Sequence, residues 1–150
     1  MIGYLVARPA RDIIRLARQQ LTLAWWEQRG QYSLFISPTV LDEIRRGDES
    51  VARRRLRVAE ELPVLPITPE VDALADHLLR MGAVPLNAKN DAYHIAAASV
   101  HGMDLLVTWN QAHIANMVRM DAIREAVRQR CGSSPVIIRP GDLLEGDHAI

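Results

Sequence analysis

NAKNDAYHIAAASVHGMDLLVTWN, running from Asn87 to Asn110, is the stretch whose reading decides the fold. Asn90 and Asp91 stand where a helix begins, and Ile95, Ala96, Ala97, Ala98 and Val100 continue it as a buried helix of small residues. Gly102 ends it, at the position where a left-handed cap costs least for a residue without a Cβ. Leu105-Leu106-Val107 then reads as a buried parallel strand that closes on Thr108-Trp109-Asn110. A helix and the strand that follows it run antiparallel, so the start of the helix and the end of the strand share one edge of the sheet. Asp91 is therefore expected to face Thr108 and Asn110, on the edge where open α/β sheets place their ligands.

Upstream, Pro9 suits the first turn of a helix, with Ile13, Leu16, Ala17, Leu21, Ala24 and Trp25 on its inner side and Asp12 well inside it. Tyr32–Ile36 reads as a strand. Ser37-Pro38 then starts a helix that turns Val40, Leu41 and Ile44 inward and carries Glu43 at the carboxyl edge of that strand. Asp48 caps a helix over 50–61, and Pro63–Ile67 is a short strand whose prolines suggest a sheet edge. Thr68-Pro69 opens a helix with Val71, Leu74, Ala75, Leu78 and Leu79 at spacings of three and four, ended by Gly82. Downstream, 112–130 reads as a helix with Ile114, Ala115, Val118, Ile123 and Val127 as its apolar positions. Pro135–Ile138 is the last strand, followed by a polar tail. Helices alternating with short apolar strands predict a three-layer α/β fold with a mainly parallel sheet, in a single domain spanning 1–150.

Composition excludes several classes. The chain is 49% apolar and 24% charged, as in a globular protein, and no apolar run approaches the roughly 18 to 20 residues of a membrane helix. No secretory leader is recognisable, and the one cysteine, Cys131, rules out an internal disulfide and fits a cytoplasmic location. The net charge is zero, so nothing draws the whole molecule to nucleic acid. Basic character is nonetheless concentrated in 17 arginines against the single lysine Lys89, a bias that suits phosphate recognition and that a GC-rich genome produces equally well. There is no GxGxxG or GxxxxGK[ST] loop to support a nucleotide-binding module.

Glu43, Asp91 and Asn110, with Thr108 beside them, are thus expected on one sheet edge. Crowded carboxylates repel and raise one another's pKa unless a cation neutralises them. Hard oxygen ligands of this kind suit Mg2+ or Mn2+, and such an ion could hold a phosphodiester and activate a water. Read singly, an Asp in a first helical turn commonly does no more than favour the helix dipole, at roughly 0.3 to 1 kcal/mol.

Three segments in order, SPTVLDEI from Ser37, KNDAYHIAAA from Lys89 and LLVTWN from Leu105, resemble successive motifs of the PIN-domain nucleases, in the branch that contains the VapC-type toxins. The resemblance implies a parallel sheet between helices and Mg2+- or Mn2+-dependent endonuclease activity on RNA. It further implies a cognate antitoxin and a homodimer. On this likeness Glu43 and Asp91 match the second and third family acids, and Thr108 matches the hydroxyl residue beside the metal. Asn110 stands where many members carry a fourth acid. Met1–Leu5 resembles the segment that follows the family's first, central strand, so that strand and its acid are expected to be missing. A chain so shortened has an alternative role, as a catalytically impaired form that acts only as a dimer or by binding an antitoxin.

Arg45, Arg46, Arg53 and Arg54, in a run that also includes Arg55 and Arg57, read as a solvated helical face and as candidates for sequence-independent RNA contact, with His113 near the same edge. His94, one turn beyond Asp91, reads better as a hydrogen-bonded structural histidine than as a ligand. His94, His101 and His113 do not make a zinc spacing. Trp25 and Trp26 point about 100° apart on a helix, so one core cannot hold both.

Overall fold

The computed structural model describes residues 1–110 and 117–146. It is a mostly helical α/β fold with a small parallel sheet. In chain order its elements are α1 (Ile2–Val6), α2 (Ile13–Glu27), a short 3-10 turn, α3 (Pro38–Ile44), α4 (Glu49–Ala59) and α5 (Pro69–Arg80), followed by α6 (Lys89–Val100), β1 (Leu105–Val107), α7 (Met117–Cys131), β2 (Val136–Ile138) and α8 (Pro140–Gly146).

Local chemistry accounts for the helix starts. Ser37, Asp48 and Thr68 accept hydrogen bonds from the backbone three residues on, and Pro38 and Pro69 occupy first helical positions. Gly102 follows α6 with φ +68°, and the N–H of Met103 reaches back to the carbonyl of Ala98 at 2.8 Å. This is the closure expected of a helix stopped by glycine.

β1 and β2 pair in parallel, Leu105 with Val136 through Val107 with Ile138. The other expected strands are thinner than their sequences suggest: of Tyr32–Ile36 and Pro63–Ile67, only Ile36 and Val64 form a bridge, also parallel. The sheet therefore stands in two pieces. Each has its own apolar cluster. Leu74 and Leu78 of α5, Ile95 and Ala96 of α6, Ile123 and Val127 of α7 and Ile137 of β2 form the larger. Ile2, Ile36, Ile44 and Ala59 form the smaller.

The expected inner faces of α5 and α6 are buried as read, with Leu79 and Val100 only partly covered at their margins, but that of α2 is not. Ile13 is 83% exposed, and Leu21 and Leu23 also reach solvent, while Gln19 and Thr22 are buried with Trp25. The cause is the backbone beneath α2. The carbonyls of Ala7 and Tyr4 need donors, and the Gln19 amide supplies them at 2.8 and 3.4 Å. Asp12 is not inside this helix but caps it, accepting from the Arg15 N–H at 2.8 Å. Trp25 is buried, and Trp26 lies partly exposed beneath the Arg29 guanidinium, 4.8 Å from its ring centre. In α7, Ile123 and Val127 are buried but Val118 is 82% exposed; Ile114 and Ala115 fall outside the described residues. The expected polar tail begins as α8, which lies against α2 so closely that a Cβ on Gly141 would come within 3.3 Å of Leu21.

Candidate active site

α3 and α6 pack together, and this packing joins acids that lie far apart in the chain. The Asn90 amide donates to Oε1 of Glu43 at 3.0 Å. His94, one turn further along α6, stands with Nε2 3.1 and 3.2 Å from the two Glu43 oxygens. One residue on from Asn90, Asp91 accepts from the side-chain amide of Asn110 at 2.9 Å. The Asn110 backbone N–H in turn donates to Thr108 Oγ1 at 3.0 Å, which fixes the turn that leaves β1. Glu43, Asp91, Thr108 and Asn110 are therefore linked through the first turn of α6 and the end of β1.

Electrostatics follow from these contacts. Partial burial pushes the Glu43 carboxyl up, but the His94 hydrogen bond and charge, the Asn90 amide and Arg46 outweigh it and hold the carboxyl below its ordinary value. A polar recess beside Asp91 is lined by Arg46, Asn87, Ala88, Lys89 and Asn90. Lys89 supplies positive charge there and also lies 5.9 Å from the Tyr93 ring centre. Trp109 braces the same turn from below: its indole N–H donates to the buried Thr22 hydroxyl at 2.9 Å, with the Arg18 guanidinium 5.5 Å from its ring centre.

The arginine run divides. Arg46 reaches the recess. Arg45 pairs with Asp42 at 3.5 Å, Arg53 with Glu49, and Arg54 is exposed on α4. Arg55 turns inward against Gly3. His113 lies outside the described residues. Sequence reasoning passed over Asn90 and Lys89 as site residues. Their position at the start of α6, next to Asp91, was the available signal.

Carboxylate and amide oxygens such as those of Glu43, Asp91 and Asn110 are of the kind Mg2+ and Mn2+ accept, since these ions use one or two protein carboxylates and keep several waters. A denser site is not present: among the described residues no group of three His, Cys, Asp or Glu side chains could hold a metal ion. Nor is any helix among them long and apolar enough to cross a membrane.

A family model, that of the PIN domain, matches residues 13–117 and so spans all four linked positions. No curated protein and no solved structure matches the chain.

Proposed function

The chain belongs to the PIN-domain family, whose members are generally nucleases and typically use divalent metal ions, and on that premise we propose that it is a Mg2+- or Mn2+-dependent endoribonuclease of the VapC toxin type. The observation that carries the reading is the shared edge: Glu43 meets Asn90, and Asp91 meets Asn110, at one helix start. Glu43, Asp91 and the Asn110 amide would hold the ion. When bound, the ion neutralises phosphodiester charge and supplies a water of lowered pKa. Asn90 and His94 fix the Glu43 carboxylate, and Thr108 fixes the backbone of Asn110. Arg46 and Lys89, lining the recess beside Asp91, would attract the RNA phosphates. Arg45, Arg53, Arg54 and His113 would extend that contact.

The toxin assignment brings with it a cognate antitoxin, a homodimer and a cytoplasmic setting. Purified protein should cleave single-stranded RNA with Mn2+ or Mg2+, fall silent in excess chelator, and lose cleavage on Asp91→Ala. Absence of divalent-ion binding, together with no effect of that substitution, would overturn the reading.

One observation favours a second reading. Only two acids are joined at the described edge, and the sheet beside them is divided. A catalytically impaired protein that acts as a dimer or by binding an antitoxin needs no more. It predicts partner binding that Glu43→Ala and Asp91→Ala leave unchanged, with no cleavage by the parent chain.

A further inference from the structure

Trp109 lies between Thr108 and Asn110, in the turn that leaves β1 for the edge where Asp91 meets Asn110. α2 holds its indole in two ways. The ring N–H donates to Thr22 Oγ1 at 2.9 Å, and that hydroxyl donates to the Arg18 carbonyl at 2.7 Å. One turn back along α2, the Arg18 guanidinium sits over the same ring, 5.5 Å from its centre. Thr22 is fully buried, so the hydrogen-bonded edge of the indole is anchored within the fold. Arg18 and Trp109 are each only partly covered, so the stacked pair reaches the surface beside Asn110.

The surroundings of Arg18 differ from those of other arginines. Arg45, Arg53, Arg80, Arg124, Arg128 and Arg139 each lie against a carboxylate three or four residues away. Arg29 also covers a tryptophan, Trp26, but it donates to the Trp26 carbonyl at the end of α2 at 2.9 Å. The Arg18 side chain has neither an ion pair nor a hydrogen bond among the described residues. Stacking uses the face of a guanidinium, whereas its five N–H donors lie in the plane and stay open to an anion. A phosphate accepts two of them at once. On the α6 side of Asp91, Arg46 and Lys89 line the polar recess. Cations therefore flank the acids on the α6 side and on the α2 side. A single nucleic-acid strand carries a charge at every nucleotide, so one strand can meet both flanks with a linkage lying over the acids between them.

We propose that the Arg18 guanidinium, stacked on Trp109, is a phosphate subsite for the RNA strand on the α2 side of the site, and that the strand runs from there across Asp91 and Asn110 to the Arg46–Lys89 recess. The choice of RNA rests on the nuclease reading, but the contact is measured by binding and not by cleavage.

The test uses the full chain carrying Asp91→Asn, in EDTA, so that RNA is bound and not cut, with a fluorescein-labelled oligouridylate as the probe. Anisotropy titrations at rising salt give Kd and its salt slope. Arg18→Met keeps an unbranched apolar stem on Trp109 and removes the charge. It should raise Kd about tenfold and reduce the slope of log affinity against log salt by about 0.7, the value of one phosphate contact on a single strand. Arg18→Lys places a point charge on the same stem and should restore the slope. Arg130→Met removes an exposed arginine at the far end of α7 and should change neither quantity. An unchanged Kd and slope in Arg18→Met would overturn the proposal and leave Arg18 a clamp for Trp109 alone. So would equal losses in Arg130→Met, a slope that Arg18→Lys does not restore, no RNA binding by the Asp91→Asn chain, or tighter Arg18-dependent binding of a labelled polyglutamate. Cleavage by the parent chain with Mn2+ is measured apart, so failure of the subsite and failure of the nuclease reading are told from one another.

Discussion

His94 Nε2 stands 3.1 Å from Oε1 of Glu43, although 51 positions separate the two residues. This contact fastens α3 to α6 at a half-buried carboxylate. With Asn90 on the same carboxylate and Asn110 on Asp91, each acid of the edge has a neighbouring donor.

The Glu43 contacts give an acid dependence of stability. Burial raises the carboxyl, and His94, Asn90 and Arg46 more than reverse this, so the folded-state pKa lies below the unfolded one. Stabilisation of that sign is fully present above the unfolded value and is lost as pH falls through the folded value. Between about pH 5 and about pH 3 the parent chain should therefore lose more stability than Glu43→Gln. Urea midpoints across the range measure this, and parallel curves for the two proteins would remove Glu43 from the account.

Asp91→Asn should separate chemistry from folding. The amide keeps the shape of the side chain that meets Asn110 but removes the charge that would bind an ion. RNA cleavage should fall by about 10- to 100-fold, the loss that substitutions around a metal site typically bring, with Tm nearly unchanged. Cleavage at parental rates in the presence of Mn2+ would show that Asp91 does not hold the ion.

Thr22→Val should weaken the turn that carries Asn110. Thr22 is fully buried, and its hydroxyl is the acceptor for the Trp109 indole. Valine keeps the volume and strands that donor, at a cost of about 1 to 3 kcal/mol. Chemical denaturation followed by tryptophan fluorescence tests it, and a change within about 0.5 kcal/mol would mean that the indole finds another partner.

Leu78→Ala and Ile13→Ala should differ sharply, although both positions read as apolar helix faces. Leu78 has no exposed surface, so its truncation should cost about 2 to 5 kcal/mol. Ile13 is 83% exposed and should change stability by no more than about 0.5 kcal/mol. Calorimetry of the two variants decides it, and a large loss at Ile13 would mean that this face of α2 is covered in solution.

The sequence by itself determined the order of elements, most of the helix ends and the edge where Asp91 meets Asn110. Ser37, Thr68 and Gly102 act through bonds only three to five residues long, which local chemistry specifies completely. The run of small residues in α6 likewise settled how closely that helix sits in the core, because Ala92, Ala96 and Ala97 leave no room for water. Asp91 opposite Asn110 followed from the reversal between α6 and β1. Other features depended on groups distant in the chain. The spacing of α2 pointed its apolar side inward, yet the carbonyls of Ala7 and Tyr4 drew Gln19 beneath it instead. Tyr32–Ile36 has the side chains of a strand, but a strand lengthens only where a neighbour bonds to it, and Ile36 has one neighbour. The partners of Glu43, His94 and Asn90, sit on another helix, so only the packing of α3 on α6 could assign them. What tertiary structure alone decided was how the strands pair, Ile36 with Pro63 and Leu65 and β1 with β2, since pairing is a property of two segments and belongs to the sequence of neither.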